Sequence, residues 1–484
     1  MNKTAKNTAI YFAGTVIMGV FGFVNTMLLT RIMNEQVYAM YGLLHNFVTT
    51  AAMFVCFGYD TAYARFYYHH DSTQKSFLTR VMLIPSLLFA LLTLVMIEPR
   101  QWIVQQVFGV KLSGFSLLLL VLYTFFSLVH RFTQLTARME ERAVNYVFSS
   151  FIGRFGFVII VFAVFLLWRY VSFDWVLLSA LLGAILATAL NLCVLLKLNS
   201  KCNGHGEPIS NRDMLTYGFP HMINSVLISA IPLIEKMIVR KVGGWEILSI
   251  FTAAAVFQSV VFIVTQTVNN IWNPLVFKHC DNREVFKPIL HNFGMAISVI
   301  TVVGFSLCVL LRRWLVLILD KSYYDAYIIA PAICFGACYS LMTVIYGSGI
   351  NIVKKTIHHV IEPIIQIVIS VIICYLLIPV LGLQGVGVAV LISIIVSRTY
   401  KNIVGLHLYD TGASEHKMWI LTGLCTAVAF ASLFLTSFIA DLVMFIVLIV
   451  AMLLVLNKDL ITVVNTAKTL LIPKKKSVKN EVQE

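Results

Sequence analysis

The sequence predicts an all-α polytopic membrane protein, and three observations support that prediction. Of its 484 residues, 59% are hydrophobic and only 12% are charged, whereas about a quarter of the residues in soluble domains are charged. Apolar runs of about 20 residues recur along the whole chain, and each is long enough to cross a hydrocarbon core of about 30 Å. These runs lack the two-residue alternation of a membrane barrel, so only helices can satisfy their backbone polar groups in lipid.

We expect about fourteen membrane-spanning helices, at 8–31, 38–66, 77–98, 114–136, 144–168, 174–197, 214–239, 245–272, 288–319, 324–352, 358–379, 382–404, 417–438 and 440–457. The first resembles a signal peptide because Lys3 and Lys6 precede it, but its apolar run is too long and lacks a cleavage pattern. It is therefore predicted to be an uncleaved helix. With the N-terminus inside, Lys and Arg favour the inner segments by 25 to 10, which predicts two cytoplasmic termini.

The predicted regions are an N-terminal six-helix lobe at 1–198, a cytoplasmic inter-lobe loop at 199–213, a C-terminal six-helix lobe at 214–405, two additional helices at 406–457 and a basic cytoplasmic tail at 458–484. A weak internal repeat suggests the two lobes. A basic residue, a turn and a helix ending near an aspartate run from Arg31 to Asp71, and again from Arg240 to Asp281. Six helices per lobe preserve orientation, so we expect a pseudo-two-fold axis along the membrane normal.

Several classes of function find no support in the sequence. No loop between predicted helices could hold a soluble domain, and no phosphate-binding G-x-x-x-x-G-K-[ST] motif is present. Cys334 and Cys338 share a helix face, but no His or carboxylate joins them at metal-ligand spacing. We therefore expect no enzyme activity, catalytic residue, metal or cofactor. The net charge of +14 indicates contact with anionic lipid headgroups and requires no nucleic acid partner.

Charged residues inside the predicted helices are candidate functional residues, because a charge near the bilayer centre is costly. Arg154 is the clearest, since it lies about ten residues into its helix between Gly153 and Gly156, which permit close packing. Arg65 and Arg131 lie toward inner helix ends, where an interfacial position is the alternative. A purely structural ion pair is the competing interpretation for Arg154. Asp60 could likewise be a structural partner of Arg65 or Arg154, and Glu362 a carboxylate at a helix start near the inner interface.

Cations exceed anions among these deep positions, which predicts a basic cavity for an anionic cargo such as a phosphate or pyrophosphate. The candidate residues for binding that group are Arg154, Arg31, Arg65, Arg131 and Lys236. Deep carboxylates could carry a coupling proton or sodium ion, and the candidates are Asp60, Glu235 and Glu362.

A series of short motifs occurs along residues 5–405. The motifs are Leu28-Leu29-Thr30-Arg31, Gly58-Tyr59-Asp60-Thr61-Ala62-Tyr63-Ala64-Arg65-Phe66-Tyr67-Tyr68, Tyr217-Gly218-Phe219-Pro220, Trp272-Asn273-Pro274, Gly349-Ile350-Asn351-Ile352-Val353-Lys354-Lys355-Thr356 and Gly382-Leu383-Gln384-Gly385-Val386-Gly387. In order and spacing they resemble polysaccharide and O-antigen flippases of the multidrug/oligosaccharidyl-lipid/polysaccharide exporter superfamily. The chain departs from that pattern at Glu235-Lys236, where the family commonly has an Asp-Arg pair. The charge signs are kept, but the guanidinium fork is lost.

The resemblance implies two six-helix lobes in a V that open alternately to the two sides of the bacterial cytoplasmic membrane. The implied cargo is an undecaprenyl-pyrophosphate-linked oligosaccharide moved from the inner to the outer leaflet. Membrane lipids are implied partners, and a glycan polymerase and glycosyltransferases are candidate partners. By analogy with lipid II flippases, the last two helices would form a groove for the lipid tail.

Two alternatives remain open. A cation-coupled multidrug exporter of the same superfamily would have a cavity rich in carboxylates and aromatic side chains. A scaffold for glycan synthesis that transports nothing would leave the deep charges without a role.

Overall fold

The computed structural model describes residues 3–68, 74–95, 100–195, 209–280, 282–409 and 416–457. Across these ranges the chain is helical and contains no strand, which confirms the predicted fold class. The helices are α1 (Lys3–Ile32), α2 (Glu35–Cys56), α3 (Tyr59–Phe66), α4 (Gln74–Val95), α5 (Arg100–Phe108), α6 (Gly114–Met139), α7 (Ala143–Trp168), α8 (Phe173–Leu195), α9 (Asn211–Ala254), α10 (Gln258–His279), α11 (Arg283–Leu315), α12 (Ala326–Tyr346), α13 (Gly349–Ile352), α14 (His358–Leu381), α15 (Leu383–Leu408), α16 (His416–Phe434) and α17 (Phe438–Val455). The predicted tail and most of the loop at 199–213 lie outside the described residues.

Thirteen stretches of the described chain are long and apolar enough to cross a membrane. One of them, Asn211–Phe257, has 47 residues, about twice the length that one crossing requires. Gly244 inside it has φ 81° and ψ −171°, so this stretch is two helices that meet at Gly244. The second of them continues through a 3₁₀ turn into α10, as far as His279. Counting the two parts separately gives the fourteen segments predicted from the sequence.

The second predicted helix, 38–66, is interrupted in the structure. Phe57 and Gly58 have positive φ angles of 49° and 81°, which end α2 and begin α3. At this break α3 meets the start of α9, where the backbones of Gly58 and Gly218 touch. A Cβ atom on either glycine would overlap the backbone of the other, so the approach requires both residues to lack a side chain.

Further boundaries differ from the prediction, including three at α5, α12 and α11. The structure contains α5, nine residues long and too short to cross the membrane, in a segment predicted to be a loop. The tenth predicted helix, 324–352, divides into α12 and α13 at Gly347 and Ser348. The ninth begins earlier than predicted, because the Asn282 side chain accepts hydrogen bonds from the first backbone amides of α11.

The helices pack in two groups joined by α9. One group contains α2, α6, α7 and α8, and the other contains α11, α12, α14 and α15. Helix α9 packs against both α2 and α14, so it contacts both groups along its length. Helices α16 and α17 pack on the second group, mainly against α12 and α11.

A buried guanidinium attaches α16 and α17 to α11. Arg312 is fully buried and donates to the Ser432 and Leu435 carbonyl oxygens at the end of α16, the second over 2.6 Å. It also pairs with the fully buried carboxylate of Asp441 in the first turn of α17, and Arg313 Nε lies 3.5 Å from the other oxygen of that carboxylate. Arg312 thus satisfies helix-end carbonyls that would otherwise lack donors, and neutralises a buried charge.

Candidate functional site

A polar cavity of about 570 Å³ lies among α1, α2, α6, α7 and α8, within the size range of ligand-binding sites. Its lining contains hydroxyl, amide, imidazole and guanidinium groups. The polar lining residues are Asn25, Tyr41, His45, Thr49, Tyr123, Ser127, His130, Arg131, Gln134, Ser150 and Arg154. None of the described residues that line this cavity is a carboxylate.

The polar lining follows helical spacing. Tyr41, His45 and Thr49 recur every four residues on α2, and Tyr123 and Ser127 do the same on α6, which places each set on one helix face. The sequence interpretation concentrated on charges and overlooked this uncharged stripe. The four-residue spacing of polar side chains within apolar runs was the signal that could have revealed it.

Arg154 lies on α7 and its side chain is exposed to the cavity. Within the described part of the chain it has no ion pair and no side-chain hydrogen bond. Its positive charge lies close enough to the side chains of Tyr41 and His45 to interact with them electrostatically. Gly153 beside it packs so closely on Gly183 of α8 that a Cβ on Gly183 would overlap the Gly153 carbonyl. The backbone of α7 is therefore held firmly at the position that carries the unpaired guanidinium.

Arg131 is the second cavity arginine, and it is paired. Its Nε donates over 2.9 Å to Asp60 Oδ2, and its Nη2 bonds to the same oxygen. Asp60 is buried in the first turn of α3 and also accepts from the Thr61 hydroxyl over 3.2 Å. The sequence interpretation offered Arg65 or Arg154 as structural partners of Asp60, whereas the structure pairs it with Arg131. The Arg131 side chain keeps 32% exposure, so part of its guanidinium faces the cavity.

The other three candidate cations lie outside this cavity lining. Arg31 and Arg65 are exposed in the last turns of α1 and α3. Lys236 is buried on α9, where its Nζ donates over 3.2 Å to the Gly42 carbonyl of α2. Of the five candidate cations, the structure brings together only Arg154 and Arg131 in this cavity.

Two of the three candidate carboxylates form an ion pair with a described residue, and one does not. Glu235 is buried beside Lys236 but points to α14, where it accepts from the Ser370 hydroxyl over 3.3 Å. Glu362 pairs with Arg398 and Lys401 of α15, the latter over 3.2 Å. Asp60 pairs with Arg131, so Glu235 alone among the three has no ion pair to a described residue. No group of three or more potential metal ligands occurs in the described ranges.

The fold is similar to that of membrane transporters of the MOP superfamily. The lipid II flippase MurJ in an inward closed conformation superposes with a TM-score of 0.66 at 13% identity, covering 96% of this chain and 100% of that chain. An inward-facing multidrug resistance MATE family transporter gives a TM-score of 0.63 at 12% identity, covering 84% and 98% of the two chains. A MOP superfamily transporter from Pyrococcus furiosus, described as having a binding pocket of reverse polarity, gives 0.51 at 13% identity, with coverages of 85% and 96%. At these identities the similarity establishes the fold.

The sequence itself matches the family described as polysaccharide biosynthesis protein over residues 4–279. Because this match extends over more than half of the chain, the protein belongs to that family, and the family resemblance of its motifs is confirmed. It is a multi-pass membrane protein with a transporter fold. Comparison with curated protein sequences gives no match.

Proposed function

We propose that this protein is a flippase, without enzymatic activity, for an undecaprenyl-pyrophosphate-linked oligosaccharide. It would move this cargo from the inner to the outer leaflet of the bacterial cytoplasmic membrane, with both of its termini in the cytoplasm. The observation that carries the proposal is the cavity whose described lining contains the guanidinium of Arg154, without an ion pair, and no carboxylate.

The cavity chemistry suits a pyrophosphate joined to sugars. A pyrophosphate and a sugar headgroup lose their hydration in hydrocarbon, so a polar cavity has to replace the water around them. A guanidinium fork matches phosphate oxygens, and no carboxylate of the described chain competes for the donors of Arg154. The uncharged lining, such as Asn25, Gln134 and Ser127, supplies hydrogen-bond donors and acceptors for sugar hydroxyls.

Transport would proceed by alternating access between two lobes, 1–198 and 214–405. The close contact of Gly58 with Gly218, beside the packed rings of Phe57 and Phe219, is a point at which helices of the two proposed lobes would meet. The Lys236 bond to the Gly42 carbonyl is a second contact between the proposed lobes, so both contacts would have to rearrange during transport.

The test of this proposal uses purified protein in liposomes with a fluorescent polyprenyl-pyrophosphate disaccharide and a quencher that cannot cross the bilayer. A flippase makes the inner-leaflet pool accessible to the quencher, whereas empty liposomes leave it protected. A protected pool in the protein-containing liposomes, with or without ion gradients, contradicts the proposal and favours the scaffold. Transport of amphipathic cations instead of the pyrophosphate lipid favours the drug exporter.

Glu235 is the carboxylate that we expect to carry the coupling ion. It is buried, receives a serine hydroxyl and has no ion pair to a described residue, so protonation would remove a buried charge. In the liposome assay, Glu235→Gln is expected to abolish the acceleration by a proton or sodium gradient. The control variant Glu246→Gln, at an exposed position just beyond the break at Gly244, is expected to keep it. A wild-type rate that ignores both gradients contradicts this assignment.

A further inference from the structure

A second cavity, of about 500 Å³, lies on the other side of α2 and α6, between these helices and α4 and α5. Its lining is apolar apart from two threonines and one arginine. The lining residues are Phe47, Ala51, Phe54, Val55, Phe89, Leu92, Thr93, Arg100, Ile103, Val104, Gly114, Leu117, Leu118, Leu120, Val121 and Thr124. This is the lining expected for a hydrocarbon chain.

Neither threonine requires a polar ligand. The Thr93 hydroxyl donates over 2.8 Å to the Phe89 carbonyl of its own helix, and the Thr124 hydroxyl donates over 2.8 Å to the Leu120 carbonyl. Both hydroxyl donors are therefore satisfied within their own helices. Neither hydroxyl therefore needs a water molecule or a polar ligand group in the cavity as a hydrogen-bond partner.

Arg100 is the one charged side chain among the described residues that line this cavity. Its side chain is exposed, and within the described ranges it has neither an ion pair nor a side-chain hydrogen bond. It is also the first residue of α5, where the helix dipole disfavours a cation. An anion placed at Arg100 would relieve that repulsion. The combination of a cation and an apolar cavity matches an amphiphile with an anionic headgroup and a hydrocarbon chain.

We infer that this cavity binds one acyl chain of an anionic phospholipid of the surrounding bilayer, with the lipid phosphate on Arg100. A guanidinium beside an apolar space between membrane helices offers charge-assisted hydrogen bonds to a lipid phosphate. The inference is independent of the proposed function, because it requires no movement of cargo.

The occupant is a bilayer lipid rather than the tail of the cargo, because the two cavities are separated. Helices α2 and α6 pack against each other and form the wall between them. On α6, Tyr123 and Ser127 face the polar cavity, whereas Leu120 and Thr124 face the apolar one. A cargo with its headgroup in the polar cavity would have to pass its tail through this wall.

The experiment uses the full chain in nanodiscs and phosphatidylglycerol with a photoreactive group on its acyl chain. We expect labelling of peptides from α2 and α6, and about tenfold less labelling from the same probe with a phosphocholine headgroup. Gly114→Phe should strongly reduce the labelling by placing a ring in the cavity. That glycine has no atom within 4 Å of an added Cβ, so the new side chain begins in open space.

Two cation variants test the role of the headgroup. Arg100→Gln should reduce phosphatidylglycerol labelling to the phosphocholine level, whereas Lys111→Gln, at an exposed cation outside the cavity, should leave it unchanged. Labelling that persists in a monodisperse Gly114→Phe variant would show only bulk lipid around the helices, and would overturn the inference. Equal labelling by both headgroups, insensitive to Arg100→Gln, would overturn the selection of an anionic lipid.

Discussion

Arg154→Gln is expected to lower export of the lipid-linked oligosaccharide at least about tenfold, without lowering the amount of protein in the membrane. A hydrogen bond to a charged group contributes about 1.5–3 kcal/mol, and about 1.4 kcal/mol corresponds to a factor of ten. The guanidinium has no described protein partner, so its removal leaves no buried carboxylate unpaired. This variant should therefore lose export while it still folds and inserts into the membrane like wild type.

Leaflet-resolved labelling of the oligosaccharide, in cells that depend on this protein for export, measures the effect. Arg154→Lys keeps the charge but loses the fork, so we expect an intermediate rate. Arg212→Gln removes an exposed cation outside the cavity and should behave as wild type. Wild-type export by Arg154→Gln would exclude this residue from the mechanism.

Asp441→Asn is expected to have the largest effect on stability, with a loss of about 3–5 kcal/mol, because it leaves the fully buried Arg312 without its counter-charge. Arg312 contacts α16 and α17 together, so the damage should detach both helices from α11. The polar cavity lies in the other group of helices, so its residues should keep their arrangement.

The stability of detergent-solubilised protein after stepwise heating, followed by gel filtration, checks this expectation. Asp325→Asn is the matched control, because Asp325 is an exposed carboxylate without an ion pair in the described chain. The Asp325→Asn variant should lose its monodisperse gel-filtration peak at the same temperature as wild type. Asp441→Asn should lose that peak at a much lower temperature. Coincident melting of all three proteins would contradict a stabilising role for the buried pair.

The fold was largely predictable from sequence, because apolar runs of membrane-spanning length specify helices irrespective of their partners. The prediction erred where local geometry depends on a neighbour. The break at Gly58 lies inside an apolar run, and it makes sense only beside Gly218, 160 residues away. Short α5 has too few residues for a crossing and too weak a pattern to be distinguished from a loop.

The candidate site was only partly predictable. Arg154 stood out as a charge deep in an apolar helix, and the structure places it in a cavity. Rotations of helices about their own axes decide which side chains meet, and a single sequence does not contain them. The pairing of Asp60 with Arg131 and the direction of Lys236 depend on such rotations. Asp441 was overlooked although a carboxylate within the most apolar span was visible in the sequence.

The contact between Gly58 and Gly218 bears on how fast the protein could change its conformation. At the two glycines only backbone atoms meet, but the Phe57 and Phe219 rings beside them lie 5.4 Å apart and would have to separate when the helices part. Dispersion between a few backbone atoms is weak, at about 0.1–0.2 kcal/mol per atom pair, so the glycine contact itself adds little to the activation barrier. A methyl group at either position would overlap the backbone of the other helix. It would therefore shift the population toward the conformation in which the two helices are apart.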